Sequence, residues 1–296
     1  MLIKKERFHF AQEEEGQLMV DVTDRVNNRP IDGASVSISY AGDPQDTLEQ
    51  LTTDSNGMTE EIDLAAPPRS YSEYPLSDVQ PYSEYNLIIT APGYEPTTIS
   101  GSEIFSGELS IQPVRLNPVL PNASASVINI PANTLWGVFP PKIPEDEIKP
   151  VRSSGEIVLS RVVIPEYIVV HDGVPSDSSA TDYYVRYADY IKNVASSEIY
   201  STWPEATLRA NITAIMSFTL NRVYTEWYRN KGYDFTITTS TAYDHKWIYG
   251  RNIFDSISRI VDEIFANYVS RPNVKQPILT QYCDGKRVSC PNAMSQ

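Results

Sequence analysis

The chain of 296 residues is long enough for about two domains, and its hydrophobic fraction of 41% supports buried cores and argues against wholesale disorder. The formal net charge is −14, and the excess acid lies in residues 1–150, with 23 Asp and Glu against 9 Lys and Arg. The second half is balanced, with 15 of each sign. Because neither half is basic, a general nucleic-acid-binding protein is not favoured.

Targeting and redox features are sparse. The chain has no run of 18 apolar residues, so we predict no membrane span. The start, MLIKKERFHF, lacks the apolar core and small-residue cleavage site of a signal peptide. Cys283 and Cys290 could form a local disulfide loop or remain reduced thiols, and without further ligands they predict no zinc site. We expect neither a metal nor a cofactor.

After a charged arm at residues 1–16, the N-terminal part alternates apolar and polar residues, as half-buried strands do. Turn-rich segments at residues 27–33 and 52–57 separate these strands. Several short strands joined by turns predict a β-sandwich over residues 17–117. The apolar positions are Leu18, Val20, Val22, Ala34, Val36, Ile38, Tyr85, Leu87, Ile89, Leu109, Ile111, Val114 and Leu116.

The same region carries a family resemblance. The runs VDVTDRVNNRPIDGASVSIS, TTDSNGMTEEIDL and YNLIITAPGYEP resemble the carboxypeptidase-regulatory, prealbumin-like sandwich. The resemblance implies a small all-β domain that serves as an adhesive, spacer or docking module and brings no catalytic residues. We therefore expect this sandwich to contact a second copy of the chain or an assembly partner.

Residues 118–155 contain seven prolines, which hold the backbone extended and remove hydrogen-bond donors. This composition predicts a semi-rigid linker. Its apolar residues Trp136, Val138 and Phe139 are expected to anchor it on a neighbouring domain.

Residues 156–296 mix strands and helices. The pattern predicts strands at residues 157–164, 168–170, 235–239 and 278–282, and a helix over Val185–Ile199. A capping box, Thr202 to Glu205, predicts a second helix that runs to about Asn230 and ends by Gly232. A third helix is predicted from Ile253 to Phe265. The fold class is therefore multidomain, with an all-β sandwich followed by an α+β domain.

Glu198 is the chief chemical candidate. Ile191 and Val194 lie seven and four residues before it, so the carboxyl falls at the end of an apolar helical stripe. In a cleft, desolvation would raise its pKa and keep it protonated near neutrality, the form that a general acid needs. The alternative is a helix-end Glu that caps the helix or pairs with Arg209 or Lys192.

The surrounding sequence, DYIKNVASSEIYSTWPEATLRANITAIMSFTLNRV, resembles the stage II sporulation protein D family and its relative, the amidase enhancer LytB. The similarity extends over about residues 165–285, ending near QPILTQY. It implies a lytic transglycosylase that cleaves the MurNAc–GlcNAc bond of peptidoglycan glycan strands with Glu198 as its one acid and base. The chain departs from the family pattern at three places: Met216 replaces an Arg, residues 238–242 lack Cys, and Cys283–Cys290 replaces a glycan-binding loop.

Several side chains are candidates for substrate binding. Tyr200, Trp203, Tyr243 and Trp247 could stack on sugar rings, although such aromatic residues also fill cores. Arg209 and Tyr282 fall within the segments that carry the resemblance. His245 follows Asp244, a pair that could orient a ring for proton transfer or bind a metal ion, the alternative being an exposed loop histidine.

Two functions remain in view. The first is the lytic transglycosylase, located at the cell wall or spore. The second is a catalytically inactive structural or glycan-binding subunit of a spore-surface, phage-tail or filament-like assembly. The absence of a signal peptide favours the second, since the product would reach the wall only by lysis or assembly. The ending PNAMSQ follows closely on the family-like segment, so we expect the chain to be a fragment of a longer protein.

Overall fold

The computed structural model describes residues 14–74, 79–120, 125–133, 135, 140–146, 158–283 and 294–295. Most of the predicted arm lies outside these residues, as do Trp136, Val138, Phe139 and Cys290.

The protein is β-rich and multidomain. Two compact units are present, and neither is one continuous stretch of chain. Unit 1 comprises Met1–Ala132, Tyr200–Trp203 and Tyr249–Ser256. Unit 2 comprises Asn133–Ile199, Pro204–Ile248 and Ile257–Gln296.

Unit 1 contains two sheets, one with strand order β3-β2-β5-β6-β8 and one with order β12-β7-β1-β4. A short helix, α1, spans Ser70–Glu73. The strands, numbered in chain order, are β1 (Glu14–Asp24), β2 (Ser35–Tyr40), β3 (Thr47–Thr52), β4 (Ile62–Ala66), β5 (Ser83–Thr90), β6 (Thr97–Ile104), β7 (Leu109–Leu116), β8 (Ser126–Asn129) and β12 (Ile253–Phe254).

The predicted period of two is confirmed in β1, whereas in β7 Ser110 and Gln112 are fully buried and Leu109 and Ile111 retain exposed surface. Leu18, Val20 and Val22 of β1 have no exposed surface, while the residues between them retain some. The turn at residues 52–57 is confirmed too: the Asp54 carboxylate accepts the backbone N–H groups of Asn56 and Met58. Gly57 has a φ of 79°, a backbone conformation that favours glycine.

The segment Tyr249–Ser256 is held in unit 1 by an edge strand and a buried ion pair. Strand β12 pairs antiparallel with β7, with Ile253 opposite Ile111. The predicted helix start at Ile253 is therefore wrong by two residues, because these residues use the ladder offered by β7 and the helix begins at Asp255. Beside β12, the guanidinium of Arg251 pairs with Glu103, and both side chains are fully buried.

Unit 2 contains a three-stranded sheet, with order β10-β9-β11, and helices. Its elements are β9 (Tyr167–His171), β10 (Asp182–Arg186), α2 (Tyr187–Glu198), α3 (Glu205–Tyr224), a 3-10 turn (Arg229–Lys231), β11 (Ile237–Thr238), β13 (Tyr282–Cys283) and β14 (Met294–Ser295). Helix α4 (Asp255–Ile264) enters the unit at Ile257. The two helices predicted around Glu198 are confirmed, although α2 begins at Tyr187 instead of Val185 because residues 182–186 form β10. Helix α3 is buried on almost every side, since five consecutive residues, Met216 to Leu220, are all buried.

Four predicted details of unit 2 are wrong. The strand predicted at residues 278–282 is absent from 278–281, and a strand begins only at Tyr282. The described residues 158–164 form no strand, since no neighbouring strand pairs with them, although the Leu159 N–H donates to the Tyr224 carbonyl. Helix α3 stops at Tyr224 because Glu226 has a φ of 48°, which no α-helix accommodates. The N-terminus of α3 has no side-chain cap, and Thr202 donates to the Ser72 hydroxyl within unit 1.

No helix among the described residues has both the length and the hydropathy needed to cross a membrane.

The Glu103–Arg251 pair yields a stability prediction. Glu103→Gln leaves a buried guanidinium without its counter-ion, so we expect the free energy of unfolding to fall by about 3–5 kcal/mol. The double variant Glu103→Gln/Arg251→Met should lose less than Glu103→Gln alone. Urea unfolding followed by circular dichroism measures both.

The matched control is Arg209→Met. Arg209 pairs with the exposed carboxylates of Glu205 and Glu263, so its loss should cost less than about 1 kcal/mol. Equal losses for Arg209→Met and Glu103→Gln would contradict the role assigned to the buried pair.

Candidate active site around Glu198

Glu198 is the last residue of α2, and its position follows from the apolar face of that helix. Ile191, Val194 and Ala195 are fully buried, and Glu198, which as a residue retains some exposed surface, lies at the end of their stripe. The Lys246 backbone N–H donates to Oε1 at 2.5 Å. The Tyr282 hydroxyl donates to Oε2. Both carboxyl oxygens of Glu198 are therefore bonded to protein groups.

The two cations that the sequence offered as partners of Glu198 bind other carboxylates. Lys192 pairs with Asp262 at 2.8 Å. Arg209 pairs with Glu205 at 2.7 Å and with Glu263. Both pairs lie at the surface of unit 2.

The protein surroundings change the acidity of Glu198 in the predicted direction. Desolvation raises its pKa to about 7. The Lys246 N–H and the charges of Lys142 and Lys246 oppose this rise, because each stabilises the carboxylate. Near neutral pH, the protonated and ionised forms of Glu198 are therefore both populated.

Asp244 fixes the loop that carries the Lys246 N–H. Its side chain is fully buried, and Oδ1 accepts a hydrogen bond from Arg222 Nε at 2.6 Å. Oδ2 accepts hydrogen bonds from the Tyr228 hydroxyl and from both the N–H and the hydroxyl of Thr238, at 2.5–2.9 Å. Arg222 also donates from Nη1 to both oxygens of Glu145, at 2.7 and 2.8 Å. Asp244 and Glu145 are thus both committed to one guanidinium.

His245 lies in the interior, so the alternative of an exposed loop histidine is wrong. The ring has no exposed surface and stacks on the Tyr282 ring, with centroids 5.9 Å apart and planes 14° apart. Its Nδ1 lies 3.2 Å from the Tyr190 hydroxyl, and its Nε2 has no hydrogen-bond partner among the described residues. Burial, with the charges of Lys142 and Arg222, lowers the pKa of His245 well below its ordinary value. A neutral imidazole therefore supports the ring whose hydroxyl contacts Glu198.

Lys142 is a part of the site that the sequence analysis missed. Its ammonium donates to the Asp244 carbonyl and lies 5.6 Å from the centroid of the Phe218 ring. The residue comes from the Pro-rich segment, more than fifty positions before Glu198, and nothing in the local sequence pattern marks it. Arg222 was missed as well, although its place four residues after Phe218 on α3 puts a cation on a buried face and is a usable signal.

The remaining predicted site residues have other surroundings. The Tyr243 carbonyl accepts from Arg222 at 3.0 Å, and Trp247 is buried with its ring 5.4 Å from that of Tyr183. Tyr200 and Trp203 belong to unit 1, where Tyr200 packs 5.4 Å from the Phe105 ring and the Trp203 indole donates to the Ser72 carbonyl. Of the predicted residues, the structure groups Glu198, His245 and Tyr282.

No cluster of three or more His, Cys, Asp or Glu suited to a metal ion occurs within the described residues.

Comparison with known proteins gives no family. No family model and no curated protein matches the sequence. Among solved structures, 5-hydroxyisourate hydrolase of Klebsiella pneumoniae is 20% identical, with a TM-score of 0.24, over 35% of this chain and 92% of that one. The minor pilin GBS52 of Streptococcus agalactiae is 17% identical, with a TM-score of 0.25, over 38% and 48% of the two chains. A mutant form of Acinetobacter radioresistens catechol 1,2-dioxygenase is 14% identical, with a TM-score of 0.26, over 39% and 56%.

This chain spans about half the length of the pilin and of the dioxygenase. TM-scores near 0.25 carry no argument about what this chain does.

The raised pKa of Glu198 predicts a pH-dependent cost in stability. Between pH 4.5 and about 7 the folded chain retains a proton that the unfolded chain releases, so folding stability falls as pH rises through this window. Glu198→Gln removes that cost. We expect the variant to match the wild type near pH 4 and to exceed its free energy of unfolding by about 3 kcal/mol at pH 8.

Urea unfolding at a series of pH values measures this difference. Glu166→Gln, an exposed change in the same unit, is the control and should leave the pH dependence as in the wild type. If the free energy of unfolding of Glu198→Gln varied with pH in the same way as that of the wild type, the raised pKa of a desolvated Glu198 carboxyl would be contradicted.

Proposed function

We propose that the protein is a lytic transglycosylase of peptidoglycan glycan strands, with Glu198 as both acid and base. The observation that carries the proposal is the Glu198 carboxyl, whose pKa is about 7 and whose oxygens accept from Lys246 and Tyr282. A group whose pKa lies near the working pH can give up a proton and then recover one. The sequence resemblance around Glu198 supplies the substrate class.

The proposed reaction consumes no water. The Glu198 proton moves to the oxygen that links MurNAc C1 to GlcNAc, and the C1–O bond breaks. The C6 hydroxyl oxygen of the same MurNAc attacks C1, and its proton passes to the Glu198 carboxylate. The products are a GlcNAc with a free hydroxyl and a 1,6-anhydro-MurNAc, and Glu198 is protonated again.

The neighbouring carboxylates favour this route over hydrolysis. A glycoside hydrolase generally needs a second carboxylate to activate water or to attack the sugar. Asp244 accepts hydrogen bonds at both oxygens and is fully buried, and both oxygens of Glu145 accept from Arg222. An intramolecular attack by the C6 hydroxyl needs no such residue.

Two uncharged hydrogen-bond donors would stabilise Glu198 in the part of the reaction in which it is a carboxylate. The Lys246 N–H and the Tyr282 hydroxyl both reach the Glu198 oxygens and strengthen their hydrogen bonds when negative charge appears there. Because the Asp244 network holds the loop of Lys246, this stabilisation needs no rearrangement during the reaction.

The proposed setting is the bacterial cell wall or spore. The N-terminal sandwich would contact the wall or an assembly partner.

The activity test is a digest of purified peptidoglycan, both intact and stripped of its peptides, read by mass spectrometry. We expect the wild type and Glu166→Gln to release anhydro-muropeptides. Glu198→Gln should release at least a hundredfold fewer, since it has no proton to give.

Each other result has a distinct meaning. Reducing ends in place of anhydro ends would replace the transglycosylase with a hydrolase. No products from the wild type, under conditions in which a known transglycosylase works, would sink the catalytic proposal. Retained binding to the same glycan by wild type and Glu198→Gln would then favour the structural or glycan-binding subunit.

A further inference from the structure

Residues 142–145 of the Pro-rich segment are tied to the loop that serves Glu198. The Ile143 N–H donates to the Ala242 carbonyl at 2.8 Å. Two residues later, Glu145 binds Arg222 through both carboxylate oxygens, and Arg222 binds Asp244 of the same loop. These bonds fix the segment at two points, so the side chain of Lys142 has a defined place.

Lys142 directs its ammonium into this site. It donates to the Asp244 carbonyl and lies 5.6 Å from the centroid of Phe218, a face that attracts cations. This hydrogen bond is to a neutral carbonyl, and the negative charges of Glu198, Asp244 and Glu145 attract the ammonium. The same loop, two residues further on, presents the Lys246 N–H to Glu198.

We propose that Lys142 is a positioning residue of the Glu198 site, whose ammonium stabilises the Glu198 carboxylate and holds the Asp244–Lys246 turn in place. Burial lowers the pKa of Lys142, and the charges of Glu198, Asp244 and Glu145 oppose this fall because they favour the ammonium. The catalytic meaning rests on the proposed function, whereas the electrostatic effect on Glu198 does not.

The other groups around Glu198 do not replace this charge. His245, from the same loop, is buried and neutral, and Tyr190 of α2 and Tyr282 of β13 are neutral hydroxyls. Arg222 of α3 is bound to two carboxylates, Asp244 and Glu145, so its charge is balanced locally. Lys246 adds a second favourable charge, and its backbone N–H contributes a hydrogen bond.

Loss of the Lys142 charge should therefore make the Glu198 carboxylate less stable. We expect Lys142→Met to raise the pKa of Glu198 by about one unit. Lys142→Arg, which keeps the charge, should restore the wild-type value, and Lys275→Met is the control lysine. Carbon-13 NMR titration of the Glu198 carboxyl measures each variant without any need for activity.

The same variants are assayed with peptidoglycan. The high-pH limb of the pH–rate profile, where Glu198 loses its proton, should move to higher pH by the same unit in Lys142→Met, and Lys142→Arg should restore the wild-type profile. Lys142→Gln keeps a donor for the Asp244 carbonyl without the charge, so it replaces Lys142→Met if that variant fails to fold.

The outcomes separate the two proposals. An unchanged Glu198 pKa in a folded, uncharged variant overturns the role of Lys142. Equal shifts in Lys142→Arg and Lys142→Met also overturn it, since the charge is then not the cause. A Glu198 pKa that shifts in Lys142→Met and returns in Lys142→Arg supports the role of Lys142. If the same chain releases no anhydro-muropeptides, the transglycosylase proposal is contradicted while the role of Lys142 stands.

Discussion

The buried carboxylate of Asp244 is the constraint on which the Glu198 site depends. It accepts hydrogen bonds from Arg222, Tyr228 and Thr238, groups that come from α3, the segment after it and β11. An ionised side chain without exposed surface is stable only when paired and hydrogen-bonded in this way. Because these bonds hold Asp244 in place, they also restrict the two residues that follow it. The Lys246 N–H is thereby held where it donates to Glu198. The desolvation that makes Glu198 useful as an acid is thus supported by a network that does not itself react.

The local sequence pattern predicted those strands and helices in which the spacing of the apolar residues places them all on the buried side. The alternation in β1 and the register of α2 are of this kind. Residues 253–254 continue a helical pattern, yet they pair with β7, a contact more than 140 residues away that no local window contains. Residues 158–164 are apolar enough for a strand but have no partner strand. In both cases the missing information is the identity of the neighbour.

The residues of the Glu198 site were likewise predictable only where local sequence determines their position. Glu198 could be found from helix geometry, since its distance from Ile191 and Val194 fixes its side of α2. Tyr282 came only from the family resemblance, since its contact with Glu198 bridges 84 positions. Lys142 lies in a segment predicted as a linker, so nothing local indicated that its ammonium binds the Asp244 carbonyl in the loop beside Glu198. Tyr200 follows Glu198 by two residues, yet the chain directs it to the core of unit 1 beside Phe105.

The account depends most directly on the ionisation of Glu198 in the folded wild-type chain. Carbon-13 titration of that one carboxyl, assigned by comparison with Glu198→Gln, measures it without substrate. We predict a midpoint near pH 7, as expected for a carboxyl that desolvation holds protonated. A midpoint near 4.5, the value of an ordinary glutamate, would contradict both the desolvated site and its use as a general acid.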